Sequence, residues 1–157
     1  MVLVVDLIDV FYALIKEFKK CLPGAKHYLG SVPEGIKRPS LLYLLVFNGD
    51  TRVSMLTKDV VIDLQIIYFG ESDQYTGLAS LEDKLNAMAA LKGFLGQFNL
   101  TVKDRNLKFS YSFSEADGEL VVNMQFRFKD GIVNLACDEE QAREMIERIY
   151  INEKEVI

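Results

Sequence analysis

Residues 107–128 read LKFSYSFSEADGELVVNMQFRF, and this stretch decides the class of fold. Leu107, Phe109, Tyr111 and Phe113 alternate with Lys108, Ser110 and Ser112, the period of a strand with one buried face. After Asp117-Gly118, the set Leu120, Val122, Met124, Phe126 and Phe128 alternates with Val121, Asn123, Gln125 and Arg127. Asp-Gly accepts the positive φ angles of a tight two-residue turn, so the stretch predicts a β-hairpin.

Toward the amino terminus the same period returns. Val60, Ile62, Leu64, Ile66 and Tyr68 form one face of a long strand, with Val61, Asp63, Gln65, Ile67 and Phe69 on the other. The apolar run Leu41 to Phe47 predicts a strand buried on both faces, and Asn48-Gly49 predicts the turn after it. Thr51 to Asp59 is polar enough to project beyond the core as a loop or hairpin tip. Lys26 to Ser40, with Val32-Pro33-Glu34-Gly35 and Pro39, predicts a loop.

Helical periodicity frames these strands. Val4, Leu7, Ile8, Phe11, Leu14, Ile15 and Phe18 make one apolar stripe, which Pro23-Gly24 ends. Ser80 and Asp83 form a capping-box start for a second helix carrying Leu81, Leu85, Met88, Leu91, Leu95 and Phe98. Asp138-Glu139-Glu140 opens a third, with Met145, Ile146 and Ile149 on one side. The order predicts an α+β fold: a mostly antiparallel sheet packed against an N-terminal and a central helix, with a C-terminal helix extension. Residues 1–130 form the domain in this reading, and 131–157 an extension packed on it or reaching from it.

Composition narrows the function. The chain has 157 residues, 50% hydrophobic and 26% charged, enough to bury one core. Two cysteines, Cys21 and Cys137, without Cys-x-x-Cys spacing do not make a disulfide-stapled scaffold. The 18 Lys and Arg against 23 Asp and Glu leave a net charge of −5, with no basic block, the opposite of a nucleic-acid grip. The amino terminus lacks the positive region of a secretion signal, and the longest apolar run falls far short of the roughly 18 to 20 residues of a membrane helix. No specific nucleic-acid binding and no membrane insertion are expected.

Candidate chemistry is sparse. The single histidine, His27, has no second His or Cys pair at ligand spacing and reads as an ordinary loop residue. Cys21 and Cys137 read as small buried thiols. Glu71, Asp73 and Asp138-Glu139-Glu140 match no calcium-loop spacing; Lys16, Lys19 and Lys20 complement the end of a helix dipole. The ten glycines are scattered at turns, in no phosphate-binding pattern. No catalytic residue, metal or cofactor is expected. Instead, Val61, Ile67 and Phe69 on the nominally outer face, and the apolar finish Ile151, Val156 and Ile157, suit an oligomer.

From Asp6 to Phe128 the chain resembles the phage tail terminator family of long-tailed phages and prophages of Gram-positive bacteria. The likeness lies in the helix from Asp6-Leu7-Ile8, the loop Val32-Pro33-Glu34-Gly35 closed by Pro39, and the apolar strand behind it. It continues in Asp63-Leu64-Gln65-Ile66-Ile67-Tyr68-Phe69, similar to the family's aspartate-x-x-x-x-tyrosine-phenylalanine strand end, and in the second helix and aromatic hairpin. Residues 131–157 depart from it, since similar proteins stop soon after the last strand.

The resemblance implies a structural role without catalysis: a homo-oligomeric, hexameric ring at the neck end of a virion tail or tail-like bacteriocin, assembled in the bacterial cytoplasm. Such a ring caps the tail tube protein, stops its polymerisation and meets a sheath, head-tail connector or collar protein. Closure needs two different faces of each subunit. Arg52, Ser54, Thr57, Lys58, Glu71, Asp73, Tyr75, Ile151, Val156 and Ile157 are the expected interface residues, with Thr51–Asp59 and Glu71–Gly77 projecting toward tube or connector. The alternatives are another neck or tail-completion connector, a small cytoplasmic enzyme or ligand-binding α+β domain, and a nucleic-acid-binding neck factor.

Overall fold

The computed structural model describes residues 5–32, 34–71 and 80–132. Two helices, α1 (Leu7–Cys21) and α2 (Leu81–Leu95), accompany six strands: β1 (Lys26–Leu29), β2 (Ser40–Arg52), β3 (Thr57–Phe69), β4 (Asn99–Val102), β5 (Arg105–Ala116) and β6 (Glu119–Gly131). The sheet order is β1-β2-β3-β6-β5-β4, antiparallel except where β1 runs parallel to β2. The fold is therefore α+β with a mixed sheet. The C-terminal helix predicted from Asp138 lies outside the described residues.

The hairpin of residues 107–128 forms as its alternation requires. Asp117 and Gly118 both take positive φ, 52° and 79°, and Ala116 pairs with Glu119 across the turn. Leu107, Phe109, Leu120, Val122, Met124 and Phe126 are buried and join Val60, Ile62, Leu64, Ile66 and Tyr68 of β3 in one apolar face. Upon it α1 lays Val10, Leu14 and Phe18, and α2 lays Ala87, Leu91, Phe94 and Leu95. Phe94 packs edge-on to Phe18, centroids 6.0 Å apart, and lies 5.6 Å from Phe109, which lies 5.4 Å from Phe126.

Four expectations are corrected. Asn48-Gly49 is no turn: β2 runs through it, Asn48 pairing with Ile62 and Gly49 with Val61, and the chain reverses at 53–56. The glycine serves another purpose, because a Cβ there would sit 2.7 Å from the ring of Phe47, which folds over the bare backbone. The run Leu41 to Phe47 is buried only to Tyr43; Leu45, Val46 and Phe47 are exposed, beside a register shift between Leu45 and Phe47. β1 covers β2 only from Ser40 to Tyr43, so among the described residues no strand lies on that side of β2 from Leu44 onward. The predicted loop 26–40 opens with that strand, and β4 was not foreseen; both are too short to show a period.

The fourth correction is the face of α2. Ser80 does cap it, accepting from the Asp83 amide at 3.2 Å, but Leu81 and Leu85 are exposed, as is Phe98 beyond the helix end. The buried side carries Phe94 and Lys84, whose Nζ reaches Glu115 at 3.3 Å. The rotation of the helix follows from the slot for Phe94 between Phe18 and Phe109. Phe94→Ala is expected to lower stability by about 3–5 kcal/mol, and Leu85→Ala by less than about 0.5 kcal/mol, in urea unfolding. Equal losses would contradict the assigned face.

Candidate functional site

The sheet face opposite the helices is predominantly polar along its middle. Register places Asp63, Gln125 and Ser110 side by side, then Gln65, Asn123 and Ser112. Most of them line a shallow depression of about 400 Å³ with Val46 at its margin. Several are already engaged: Gln125 donates to Asp63 at 2.8 Å, Arg127 to Gln125 at 3.1 Å, and Asn123 to Ser114 at 3.0 Å. This row braces neighbouring strands and aims no nucleophile, base or orienter at a common point.

One end of this face is held by Arg38. Its guanidinium donates to the Gly70 carbonyl at 3.1 Å and to Glu119 at 2.7 Å, and lies 5.7 Å from the centre of the Phe69 ring. Glu119 is buried, so Arg38 keeps a charge in the interior paired. Phe69, Ile67 and Val61, expected to need a cover, are half-buried. At the other end of the sheet, on the helix side, Asp130 is buried and accepts from the Val5 amide, Arg105 and the Gly131 amide, fastening the chain just before α1 to β5 and β6.

The titratable groups face the helices. His27 lies on β1, not in a loop; its Nδ1 is 2.8 Å from the Tyr43 hydroxyl and its ring stacks on Tyr43. Burial, with Lys19 nearby, lowers the histidine pKa. Burial raises the Cys21 thiol and, more strongly, the Tyr43 phenol; Tyr68 is pushed up to about 12, first by burial and then by Asp83. Each shift favours the neutral form, as desolvation in a core does. Among the described residues no group of three or more His, Cys, Asp or Glu could hold a metal ion. Among them, too, no helix is long and apolar enough to cross a membrane.

Of the expected interface residues, Arg52, Ser54, Thr57 and Lys58 meet at one hairpin end. Their roles differ from the expectation. Ser54 and Thr57 turn inward: their hydroxyls are 2.6 Å apart, and Ser54 Oγ accepts from the Leu56 and Thr57 amides, closing the turn. Lys58 pairs with Asp50 at 2.8 Å, and Arg52 is exposed beside it. What the tip offers outward is apolar: Val53, Leu56 and Met55, the last 70% exposed. The polar reading of Thr51 to Asp59 missed this, and the signal was present in Met55-Leu56.

Glu71 is exposed, but beyond the far end of β3, roughly 40 Å from the hairpin tip at about 3.3 Å per residue. Glu71 and the hairpin tip thus lie at opposite ends of β3. Asp73, Tyr75, Ile151, Val156 and Ile157 lie outside the described residues. Further exposed apolar side chains sit on the helices, Ile8 and Tyr12 on α1 and Leu81 and Leu85 on α2, away from the hairpin.

No protein-family model and no curated protein matches the chain.

The His27 environment gives a pH dependence. Because the folded pKa lies below the unfolded value near 6.5, the unfolded chain binds the extra proton first, and stability falls as pH drops through the window below about 6.5. His27→Gln keeps a partner for Tyr43 and removes the titration. Its unfolding free energy is expected to vary less with pH between about 6.5 and 5 than that of the wild type. Parallel slopes would contradict the assignment.

Proposed function

We propose that this chain is a tail terminator: a subunit without catalytic activity that assembles into a ring, hexameric by the family resemblance, at the neck end of a phage tail or tail-like particle. It acts by occupying the end of the tube so that no further tube subunit adds. Its partners in this reading are further copies of itself, the tube protein, and a sheath, connector or collar protein on the head side.

The observation that carries the reading is the apolar outer half of the β2–β3 hairpin. Val46, Phe47, Val53, Met55 and Leu56 are all at least half exposed, on a strand pair anchored in the core at its other end. Exposed apolar side chains concentrated on a rigid element suit contact with protein. The separate apolar positions on α1 and α2 supply a further surface for contact with tube or connector. The net charge of −5 suits a channel through which DNA passes without sticking.

Met55→Asp with Leu56→Asp leaves the core untouched and charges the tip. Particles assembled with this variant are expected to carry overlong tails in negative-stain electron micrographs, as do particles made without the protein. Tails of wild-type length in its complete absence would overturn the proposal. A label found between connector and capsid, away from the tube end, would favour a neck connector instead.

A further inference from the structure

Among the described residues the sheet is unfinished at both sides. β1 pairs with β2 only from Ser40 to Tyr43, and β4 pairs with β5 only from Arg105 to Lys108, with the Phe109 amide bonded to the Phe98 carbonyl. Among the described residues no strand lies beside β2 from Leu44 to Arg52 on that side, or beside β5 from Ser110 to Ala116. Unpaired edges invite another strand, and proteins guard them with charge or proline. Here Leu44 to Gly49 and Ser110 to Ser114 contain neither, and charge stands only toward the ends of the open stretches, on Asp50, Arg52 and Glu115. Leu45, Val46 and Phe47, on the first of these edges, are 46%, 62% and 52% exposed.

The two edges fit each other. Three antiparallel steps, β2 to β3, β3 to β6 and β6 to β5, make β2 and β5 run in opposite directions. In a neighbour related by rotation about an axis, β5 therefore arrives antiparallel to β2. The short covering strands sit at opposite ends of the sheet, so without displacement the open stretches overlap only over residues 44–47, and they align along their length when the neighbour is displaced along the strands. The registers set that displacement at about four residues, roughly 13 Å, across the four strands β2, β3, β6 and β5, roughly 19 Å wide. The implied tilt is about 35°, within the range at which sheets close into barrels. The displacement is even, so helix-side residues stay on the helix side, and the bulge at Val46 adds the bend that closure needs.

We infer that copies of this chain join head to tail by main-chain pairing of the β2 edge Leu44–Arg52 with the β5 edge Ser110–Ala116 of the next copy, making one continuous closed sheet. The ring itself rests on the function proposed above; the strand pairing is read from the two edges. A two-fold β2-to-β2 pairing would leave the β5 edge open, whereas head-to-tail joining leaves neither.

The register sets Thr51 opposite Ser110 of the neighbour, both exposed and on the same face. In full-length chain with Cys21→Ala and Cys137→Ala, the variant Thr51→Cys with Ser110→Cys is oxidised at high protein concentration, after circular dichroism has verified its fold. Denaturing gels are expected to show a shift from monomer to a ladder of dimers, trimers and higher multimers, lost on adding Val46→Lys. Either single cysteine variant is expected to stay monomeric. No ladder, a ladder indifferent to Val46→Lys, or a dimer from one cysteine alone would overturn the inference. Overlong tails without the chain, together with no ladder, would sink the pairing and spare the terminator reading; a ladder with normal tails would do the reverse.

Discussion

The structure depends on one aromatic and aliphatic seam between the sheet and its two helices. Phe18 reaches down from α1 to Tyr43 and Phe94, Phe94 from α2 to Phe109, and Phe109 across the strands to Phe126. These rings belong to segments far apart in sequence, so none is buried until the helices and strands have met. Burying each contributes on the order of 2 kcal/mol or more, and tight packing adds to it. The rotation of α2, the placing of α1 beside β4 and the depth of β1 against Tyr43 follow from filling this seam. Lys103, in the turn after β4, then reaches Asp9 of α1 at 3.0 Å.

What could be read in the sequence is what a short window determines. The alternation through 107–128 with Asp117-Gly118 at its centre, the face Val60 to Tyr68, and the cap at Ser80 each need only a few residues in order, and each formed. Readings that needed a distant partner went astray. Asn48-Gly49 carries the strongest local turn signal in its half of the chain, yet Ile62 and Val61 pair across from it and Phe47 lies on the glycine. Leu81 and Leu85 are the kind of residue a core wants, yet the slot between Phe18 and Phe109 selects Phe94. Four residues of β1 or β4 hold too little pattern to be seen without the neighbouring strand.

The candidate surface was legible in place and not in chemistry. Polar residues marked Thr51 to Asp59 as a tip, and a tip it is, but the hydroxyls of Ser54 and Thr57 are consumed in closing it. A turn must satisfy its backbone before it can offer anything to a partner, and the small polar side chains are the ones that do so. The residues left over, Val53, Met55 and Leu56, therefore define the surface. Counting polar residues identifies where a chain turns; subtracting those the turn uses identifies what it presents.

The same subtraction applies to the titratable side chains. His27 is spent on Tyr43, Glu119 on Arg38, Asp130 on Arg105 and the main chain, and Asp63 and Gln125 on each other. The pKa values of Cys21, His27, Tyr43 and Tyr68 move toward the uncharged form, with burial the largest cause at each. These side chains thus hold neighbouring elements together, although His27 Nε2 and Glu119 Oε2 remain buried without a partner. Open strand edges and exposed apolar side chains are also present among the described residues, and both would be satisfied by the same event, the arrival of another polypeptide with a free strand of its own.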